Sequence, residues 1–224
     1  MTIKPLRVAV TLLDPAALFE LAVPCAVFGG EGYELVLCAT TPGGAQTAPG
    51  GLRLEAGHGL EALADADLIV VPACLMNVGY EPPAALVDAL HAAHARGTRI
   101  ASLCSGAFVL AAAGLLDGRE AATHWMYAEE LRRRHPRVRV NDQALYIDDG
   151  AILTSAGTAA AIDLCLHIVR TDYGTAAAAA VGRRMVVAPH REGTRPSTRR
   201  YGPPQPRRPS PRCWTGHWPG CTSR

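Results

Sequence analysis

The sequence has almost no lysine and no organised set of cysteines. Lys4 is the single lysine among 22 basic residues, a bias that together with abundant alanine indicates a GC-rich bacterial gene. The seven cysteines form no C-x-x-C pair and no metal-ligand spacing, so neither a disulfide framework nor a metal site is predicted. Because no glycine-rich phosphate loop or carboxylate pair stands out, no cofactor is expected.

Long apolar runs and a secretory signal are missing as well. No apolar stretch reaches the roughly 18 residues that a membrane-spanning helix needs, and the first residues lack the charged and apolar regions of a signal peptide. We therefore expect a protein of the reducing bacterial cytoplasm with no membrane contact. At 224 residues, the chain is long enough to bury one complete core.

Charge divides the chain into a long acidic part and a short basic tail. The formal net charge is +2, yet the residues from Pro189 onward hold eight arginines and one acidic residue. Residues 1–188 are therefore acidic overall, and nucleic-acid binding cannot rest on them. The tail from Arg191 lacks Leu, Ile, Val, Phe and Met, so it cannot bury enough apolar surface to fold. We expect one folded domain over 1–188 and a disordered basic Pro/Arg-rich tail over 189–224.

Apolar runs alternate with helical patterns throughout the first 188 residues. Strands are predicted at 6–13, 33–39, 52–56, 68–71, 99–103, 138–140, 145–147 and 152–154, helices at 16–28, 60–64, 83–96, 108–113, 126–134, 158–170 and 175–187, and a loop at 40–51. The nearly continuous apolar strands and the βαβ alternation predict an α/β fold, a mostly parallel sheet with helices on both faces. Asp149-Gly150 predicts a hairpin.

The segment 99–106, Arg-Ile-Ala-Ser-Leu-Cys-Ser-Gly, predicts a strand, a sharp turn and a helix. Cys104 falls on the turn, where a nucleophile stands clear of the sheet and small neighbours let helix and strand approach closely. Since N–H groups at a helix start favour negative charge, we expect the pKa of the Cys104 thiol to lie below the value of about 8.5 for free cysteine. The alternative is a buried cysteine that only fills the core.

Groups that could reach this thiol should follow the carboxyl ends of neighbouring strands. Glu20 follows the first strand and lies between two apolar residues, Ala73-Cys74 follow the strand at 68–71, and His124 follows the elbow helix. Each also admits a structural role. Glu20 could be a solvated helix carboxylate, His124 a packed ring, and Cys74 an inert thiol.

Four segments resemble the ThiJ/PfpI superfamily, whose members are class I glutamine-amidotransferase-like. They are Phe-Glu-Leu-Ala-Val-Pro at 19–24, Leu-Cys-Ser-Gly-Ala-Phe-Val-Leu-Ala-Ala-Ala-Gly-Leu-Leu-Asp-Gly at 103–118, Ala-Thr-His-Trp at 122–125 and Thr-Ser-Ala-Gly at 154–157. The resemblance implies a flavodoxin-like three-layer sandwich with a cysteine nucleophile elbow.

The same resemblance implies roles for individual residues. Cys104 takes the place of the elbow nucleophile, Glu20 that of its carboxylate partner and His124 that of the nearby histidine. The ligand pocket would also include Ala73, Cys74, Ser105 and Gly157. Many enzymatic members have paired glycines where this chain has Ala73-Cys74, which argues against catalysis.

Two further segments, 161–170 and 183–193, resemble the amino-terminal domain of GlxA/FtrA-like AraC-family transcriptional regulators. In these regulators a helix-turn-helix domain follows, whereas here the resemblance stops near Gly193. We hypothesise that a frameshift produced the tail. We expect a small-molecule sensor, a homodimer, that would contact DNA only through the missing helix-turn-helix domain.

Two other functions stay open from the sequence. One is a cysteine-dependent hydratase or hydrolase resembling isonitrile hydratase, in which the Cys104 thiolate attacks an electrophilic carbon and Glu20 relays a proton. The other is salt-sensitive, sequence-indifferent DNA binding through the basic tail.

Overall fold

The computed structural model describes residues 4–39, 45–73 and 81–188. Its strands and helices are, in chain order, β1 (Leu6–Leu12), α1 (Leu18–Phe28), β2 (Tyr33–Ala39), β3 (Ala45–Ala48), β4 (Leu52–Glu55), β5 (Leu68–Val71), α2 (Ala84–Ala95), β6 (Arg99–Leu103), α3 (Gly106–Ala112), β7 (Glu120–Ala121), α4 (Ala128–Arg134), β8 (Arg139–Val140), β9 (Tyr146–Asp148), β10 (Ile152–Ser155) and α5 (Ala159–Met185). Short 3-10 turns lie at Pro49–Gly51, Leu60–Asp65 and Trp125–Tyr127.

A six-stranded sheet with the order β2-β1-β5-β6-β10-β9 forms the centre of the molecule. The first five strands in this order run parallel, and β9 pairs antiparallel with β10. The turn between β9 and β10 contains Asp149-Gly150, as predicted. The expected α/β class with a mostly parallel sheet is confirmed.

Helices cover both faces of this sheet because its central strands are apolar on both sides. Ala9, Ile69 and Ile100 pack into one core with residues of α2, α3 and α4. Val10 and Val70, one position along their strands, pack into a second core with residues of α1 and α5. Successive strand residues point to opposite faces, so near-continuous apolar strands are what a three-layer sandwich requires. No helix within the described ranges is long and apolar enough to cross a membrane.

An ion pair joins α5 to the amino-terminal end of β6. The ion pair joins Asp172 on α5 to Arg99, with Nη1 of Arg99 2.8 Å from Oδ1 of Asp172. Oδ2 of Asp172 accepts hydrogen bonds from Nη2 of Arg99 at 3.1 Å and from the Tyr33 hydroxyl at 3.0 Å. The Asp172 side chain is only 7% exposed, so its charge depends on these donors. Burial and the neighbouring carboxylate raise the pKa of Tyr33 well above its usual range.

The structure contains two short strands that the sequence did not predict, β3 and β7. The predicted loop at 40–51 contains β3, which pairs antiparallel with β4 through a turn at Gly50 and Gly51, both with φ near +78°. Pairing within this hairpin forms a strand that the residue pattern of 45–48 does not indicate. The prediction of two helices at 158–170 and 175–187 agrees with the structure, because α5 consists of two helical segments divided at Gly174, whose φ of +85° and ψ of 173° are not helical. The predicted disordered tail at 189–224 lies outside the described residues.

Candidate functional site

Cys104 lies on the turn between β6 and α3 in a backbone conformation that non-glycine residues rarely adopt. Its φ is +56°, and the residue is 7% exposed. Two hydrogen bonds hold this conformation: the Cys104 N–H donates to the carbonyl of Ser155 at 3.1 Å, and the Thr123 hydroxyl donates to the carbonyl of Cys104 at 2.9 Å. A strained turn persists only where its surroundings fix it in this way.

Two glycines allow the segments around Cys104 to pack closely against one another. A Cβ at Gly106 would overlap the Val71 carbonyl oxygen and lie 2.6 Å from that of Pro72. Only a glycine at this position therefore lets α3 lie this close to the end of β5. A Cβ at Gly157, where φ is +77°, would overlap the Cβ of Cys104 and lie 2.8 Å from its Sγ. The loop after β10 therefore packs directly against the thiol side chain.

Glu20 is a buried carboxylate in the first turn of α1. It is 9% exposed, and its Oε1 accepts a hydrogen bond from the N–H of Thr158 at 3.3 Å. Thr158 follows Gly157 and also has a positive φ, +49°. Glu20 is thus connected to the thiol through one hydrogen bond and the adjoining glycine, and it is not a solvated helix residue.

His124 follows Thr123, whose hydroxyl binds the elbow. Its Nδ1 accepts a hydrogen bond from the N–H of Met126 at 3.3 Å and so caps the short turn that begins at Trp125. Because Nδ1 accepts, a neutral ring carries its proton on Nε2. The ring also lies near that of Tyr127, with centroids 5.9 Å apart.

Two further predicted site residues, Ala73 and Ser105, lie at the ends of β5 and β6. Ala73 is 5% exposed and follows Pro72, whose carbonyl faces Gly106. Ser105 is 1% exposed and begins the turn into α3. Cys74 lies outside the described residues. The elbow region therefore combines the ends of β5, β6 and β10 with the start of α1.

Two buried threonine hydroxyl groups that hold the elbow and the neighbouring segment 122–123 are not among the residues predicted from the sequence. Besides Thr123, Thr154 contributes by accepting a hydrogen bond from the N–H of Ala122 at 2.8 Å. Both threonines are almost completely buried. The available signal was their position inside two of the motif segments, 122–125 and 154–157, where Thr123 directly precedes the selected residue His124.

Three other described cysteines are shielded, and none of them is in a disulfide. Burial raises the pKa of Cys38 to about 11 and raises the pKa of Cys25 and of Cys165 above the ordinary thiol value. These thiols are therefore protonated at neutral pH and serve as internal references for the reactivity of Cys104.

A parallel sheet between helical layers, with a cysteine on a strained strand-to-helix turn, defines a flavodoxin-like domain with a nucleophile elbow. The family model DJ-1/PfpI matches residues 6–171. The chain belongs to the DJ-1/PfpI family, which is the ThiJ/PfpI assignment that the sequence motifs indicated.

Similar proteins include transcriptional regulators and an enzyme. The HTH-type transcriptional regulator CdhR of Pseudomonas aeruginosa is 35% identical over 149 residues, which cover 65% of this chain and 43% of CdhR. The crystal structure of an AraC family transcriptional regulator from Pseudomonas putida matches with a TM-score of 0.70 and 25% identity, covering 81% of this chain and 100% of that one. Isonitrile hydratase of Pseudomonas putida is 31% identical over 146 residues, or 64% of this chain and 61% of the enzyme. The chain thus spans less than half the length of CdhR.

Proposed function

We propose that residues 1–188 form the small-molecule-sensing domain of an AraC-type transcriptional regulator that acts in the cytoplasm. The observation that carries the proposal is the match to regulators in both sequence and structure, 35% identity with CdhR and full coverage of the solved AraC family chain. In this proposal DNA is contacted only by a separate helix-turn-helix domain. The basic segment 189–224 is not part of the sensing domain.

The proposed ligand pocket lies at the elbow. Glu20 offers a buried carboxylate, and His124 offers an Nε2–H donor when its ring is neutral. Cys104 supplies a polarisable side chain whose backbone is fixed by Ser155 and Thr123. A few polar groups on a rigid frame are typical of small-molecule sites, with Ala73, Ser105 and Gly157 completing the wall.

Ligand binding is favoured over turnover because of the residues between β5 and α2. Ala73 occupies the position where many enzymatic members of the family have the first of two glycines, and it is 5% exposed. Its Cβ limits how closely a substrate oxygen can approach the backbone N–H groups that would stabilise an oxyanion.

Exposed apolar side chains beside the site support the homodimer that we include in this proposal. Phe19 is 49% exposed, Trp125 50% and Met126 60%. Phe19 directly precedes Glu20 in the chain, and Trp125 and Met126 directly follow His124. Contiguous exposed apolar patches mark association surfaces, and the proposal takes these three side chains as parts of one such patch, which dimerisation would cover together with the neighbourhood of the pocket.

Protection of Cys104 from alkylation tests the sensing function. A metabolite panel is screened by thermal unfolding of the full chain, and each stabilising compound is then tested for slowing iodoacetamide labelling of Cys104. A ligand at 100 times its Kd stabilises the folded state by about 2.7 kcal/mol, which is a readily measured shift in Tm. The Cys25→Ser variant is the matched control for these measurements, because it removes a different thiol and keeps Cys104. If stabilising compounds leave Cys104 labelling unchanged, the pocket is not at the elbow.

The second candidate function is isonitrile hydration, favoured by the cysteine elbow and the buried Glu20. The Cys104 thiolate would add to the isonitrile carbon while a proton relayed by Glu20 completes the addition. Water would then add to that carbon and the thiol would leave, which yields an N-substituted formamide and regenerates the enzyme. Formamide production that disappears in Cys104→Ser but persists in Cys25→Ser would establish this activity instead.

A further inference from the structure

Three non-glycine residues of the described ranges have a positive φ, and they mark a path from the elbow to the end of α5. They are Cys104 on the elbow, Thr158 directly before α5 and Val186 directly after it, with φ of +56°, +49° and +57°. Such a conformation is strained for a residue with a side chain. Strained backbone persists only where its surroundings hold it, and it clusters at functional sites and in switch regions.

The first two of these residues belong to the elbow region itself. Gly157 packs against the Cys104 side chain, and the next residue, Thr158, donates its N–H to Oε1 of Glu20 at 3.3 Å. The Thr158 side chain makes no capping hydrogen bond to α5. The bond to Glu20 therefore ties the start of α5 to the proposed ligand pocket.

Val186 ends α5 in a cap that glycine usually forms. The N–H of Val186 donates to the Arg183 carbonyl at 3.2 Å, and that of Val187 donates to the Gly182 carbonyl at 3.0 Å. This pair of bonds is the Schellman motif, whose left-handed residue is usually glycine. Val186 is 91% exposed, so packing of its side chain does not offset the strain. The cap therefore depends on its two hydrogen bonds and on the surroundings of the residues that follow.

Those residues return to the start of the same helix, because Gly174 divides α5 into two segments. Val187 and Ala188 line a cavity of about 240 Å³ together with Ala159, Ile162 and Asp163 from the first turns of α5. We call residues 186–188 the exit segment. The wall opposite the exit segment is thus the part of α5 that begins at Thr158.

Arg184 gives the end of α5 a second connection to the pocket. Its Nη2 donates to the Ala26 carbonyl in the last turn of α1 at 2.8 Å, a favourable position for a cation. Glu20 lies in the first turn of α1. Helix α1 therefore contacts the start of α5 through Glu20 and the end of α5 through Ala26.

We propose that the exit segment is a ligand-controlled hinge, in which a ligand that takes Glu20 from Thr158 opens the cap at Val186. The proposal rests on the sensing function, because it names the consequence of ligand binding at the elbow. Without the Glu20 bond, Thr158 relaxes to a negative φ and the first turn of α5 moves away from the exit segment. Val186 then leaves its strained conformation, and the chain beyond Ala188 changes direction. The ligand favours this open state because only there is the Glu20 carboxylate available to it.

Amide hydrogen exchange, measured by NMR on the full chain, tests the hinge without a ligand. Glu20→Ala removes the acceptor, so the amides of Val186 and Val187 should exchange about tenfold faster, the effect of about one hydrogen bond to a charged group. Glu20→Gln keeps an acceptor oxygen and is the matched control. The amide of Ile100, bound to the Ala151 carbonyl beside the sheet, reports on global stability. Unchanged exchange at Val186 and Val187 in Glu20→Ala, or an equal increase at Ile100, overturns the proposal.

Val186→Gly tests the strained cap and leaves the pocket intact. Glycine adopts the left-handed conformation without strain, so the amide of Val187 should exchange about tenfold more slowly. Val186→Ala keeps a Cβ and should slow exchange less. Equal exchange in Val186→Gly and the wild type overturns the proposal, and this variant keeps the test valid if Glu20→Ala misfolds.

Iodoacetamide then supplies an occupant of the pocket. It forms an S–C bond to Cys104 with loss of iodide and of the thiol proton, and the adduct brings an amide donor into the pocket that Glu20 lines. Exchange at Val186 and Val187 should rise in the labelled wild type and not in Cys104→Ser treated in the same way. If the adduct forms and exchange is unchanged, the hinge fails while the sensing function stands. If Cys104 forms no adduct, the elbow admits no occupant, and the sensing function and its control of the hinge both fail.

Discussion

Replacing Gly157 by alanine should destabilise the protein by about 2–5 kcal/mol, because the new methyl group has no room and the backbone is unsuited to it. The φ of +77° is a conformation that costs an L-residue about 1–2 kcal/mol. The added Cβ would overlap the Cβ of Cys104 and lie 2.6 Å from its Cα. Neither atom is the end of a flexible chain, and overpacking of this kind costs about 1–3 kcal/mol.

A second glycine separates these two contributions. Gly150 also has a positive φ, +87°, but nothing lies within 4 Å of a Cβ built there. Gly150→Ala should therefore lose only the conformational part, about 1–2 kcal/mol. Urea unfolding of the two variants and the wild type measures the difference. If Gly157→Ala costs no more than Gly150→Ala, the packing of Gly157 against Cys104 is not as described.

The double variant Gly157→Ala/Cys104→Gly tests the contact from its other side. Removing the Cβ of Cys104 takes away one of the two overlapping atoms and also relieves the strain of φ +56° at that residue. The double variant should therefore be more stable than the sum of the single effects indicates, with a coupling of about 0.5–3 kcal/mol. Simple additivity would contradict a direct contact.

Three further predictions follow from the ionisable groups. The rate at which iodoacetamide labels Cys104 should rise with pH with a midpoint below about pH 8.5. At neutral pH the reagent should label Cys104 and spare Cys38, whose pKa is raised to about 11. Mass spectrometry of the labelled peptides checks this, and equal labelling of the two cysteines would contradict it. Asp172→Ala should cost about 2–4 kcal/mol in urea unfolding, somewhat less than a fully buried pair, because the side chain of its partner Arg99 is 25% exposed; an unchanged midpoint would refute the ion pair's role. Burial lowers the pKa of His135 in the folded state, so the unfolded chain binds a proton first and stability should fall as pH drops below about 6.5; His135→Gln should flatten this dependence, and an unaltered slope would show that other groups cause it.

Much of the fold could be predicted because its signals are local. Burial on both faces makes β1, β5 and β6 read as continuous apolar runs, and those runs alone indicate a central parallel sheet. The turn at Cys104 was equally visible, since strand, cysteine and glycine follow one another within eight residues. By contrast, β3 is a strand through its pairing with β4, and such pairing leaves little trace in the residues themselves.

The site could be predicted only as a set of residues, not as an arrangement. The hydrogen bond from Thr123 to the Cys104 carbonyl joins residues 19 positions apart, and that from Thr158 to Glu20 joins residues 138 apart. A groove between α2, α3 and α4 likewise exists only because these helices bring Asp88, Phe108 and Arg134 together. Contacts of this length depend on how the layers pack, which periodicity and spacing do not specify.

The elbow's geometry depends on backbone contacts, and this separates the fold from the chemistry of the thiol. Cys104 is held through its N–H and its carbonyl oxygen, and α3 is held against β5 through the space left at Gly106. None of these contacts uses Sγ. Cys104→Ser keeps the Cβ and every backbone partner, so it should retain the strained turn while removing the thiolate. Loss of labelling, of ligand protection or of formamide production in that variant can therefore be assigned to the sulfur atom and not to a collapsed elbow.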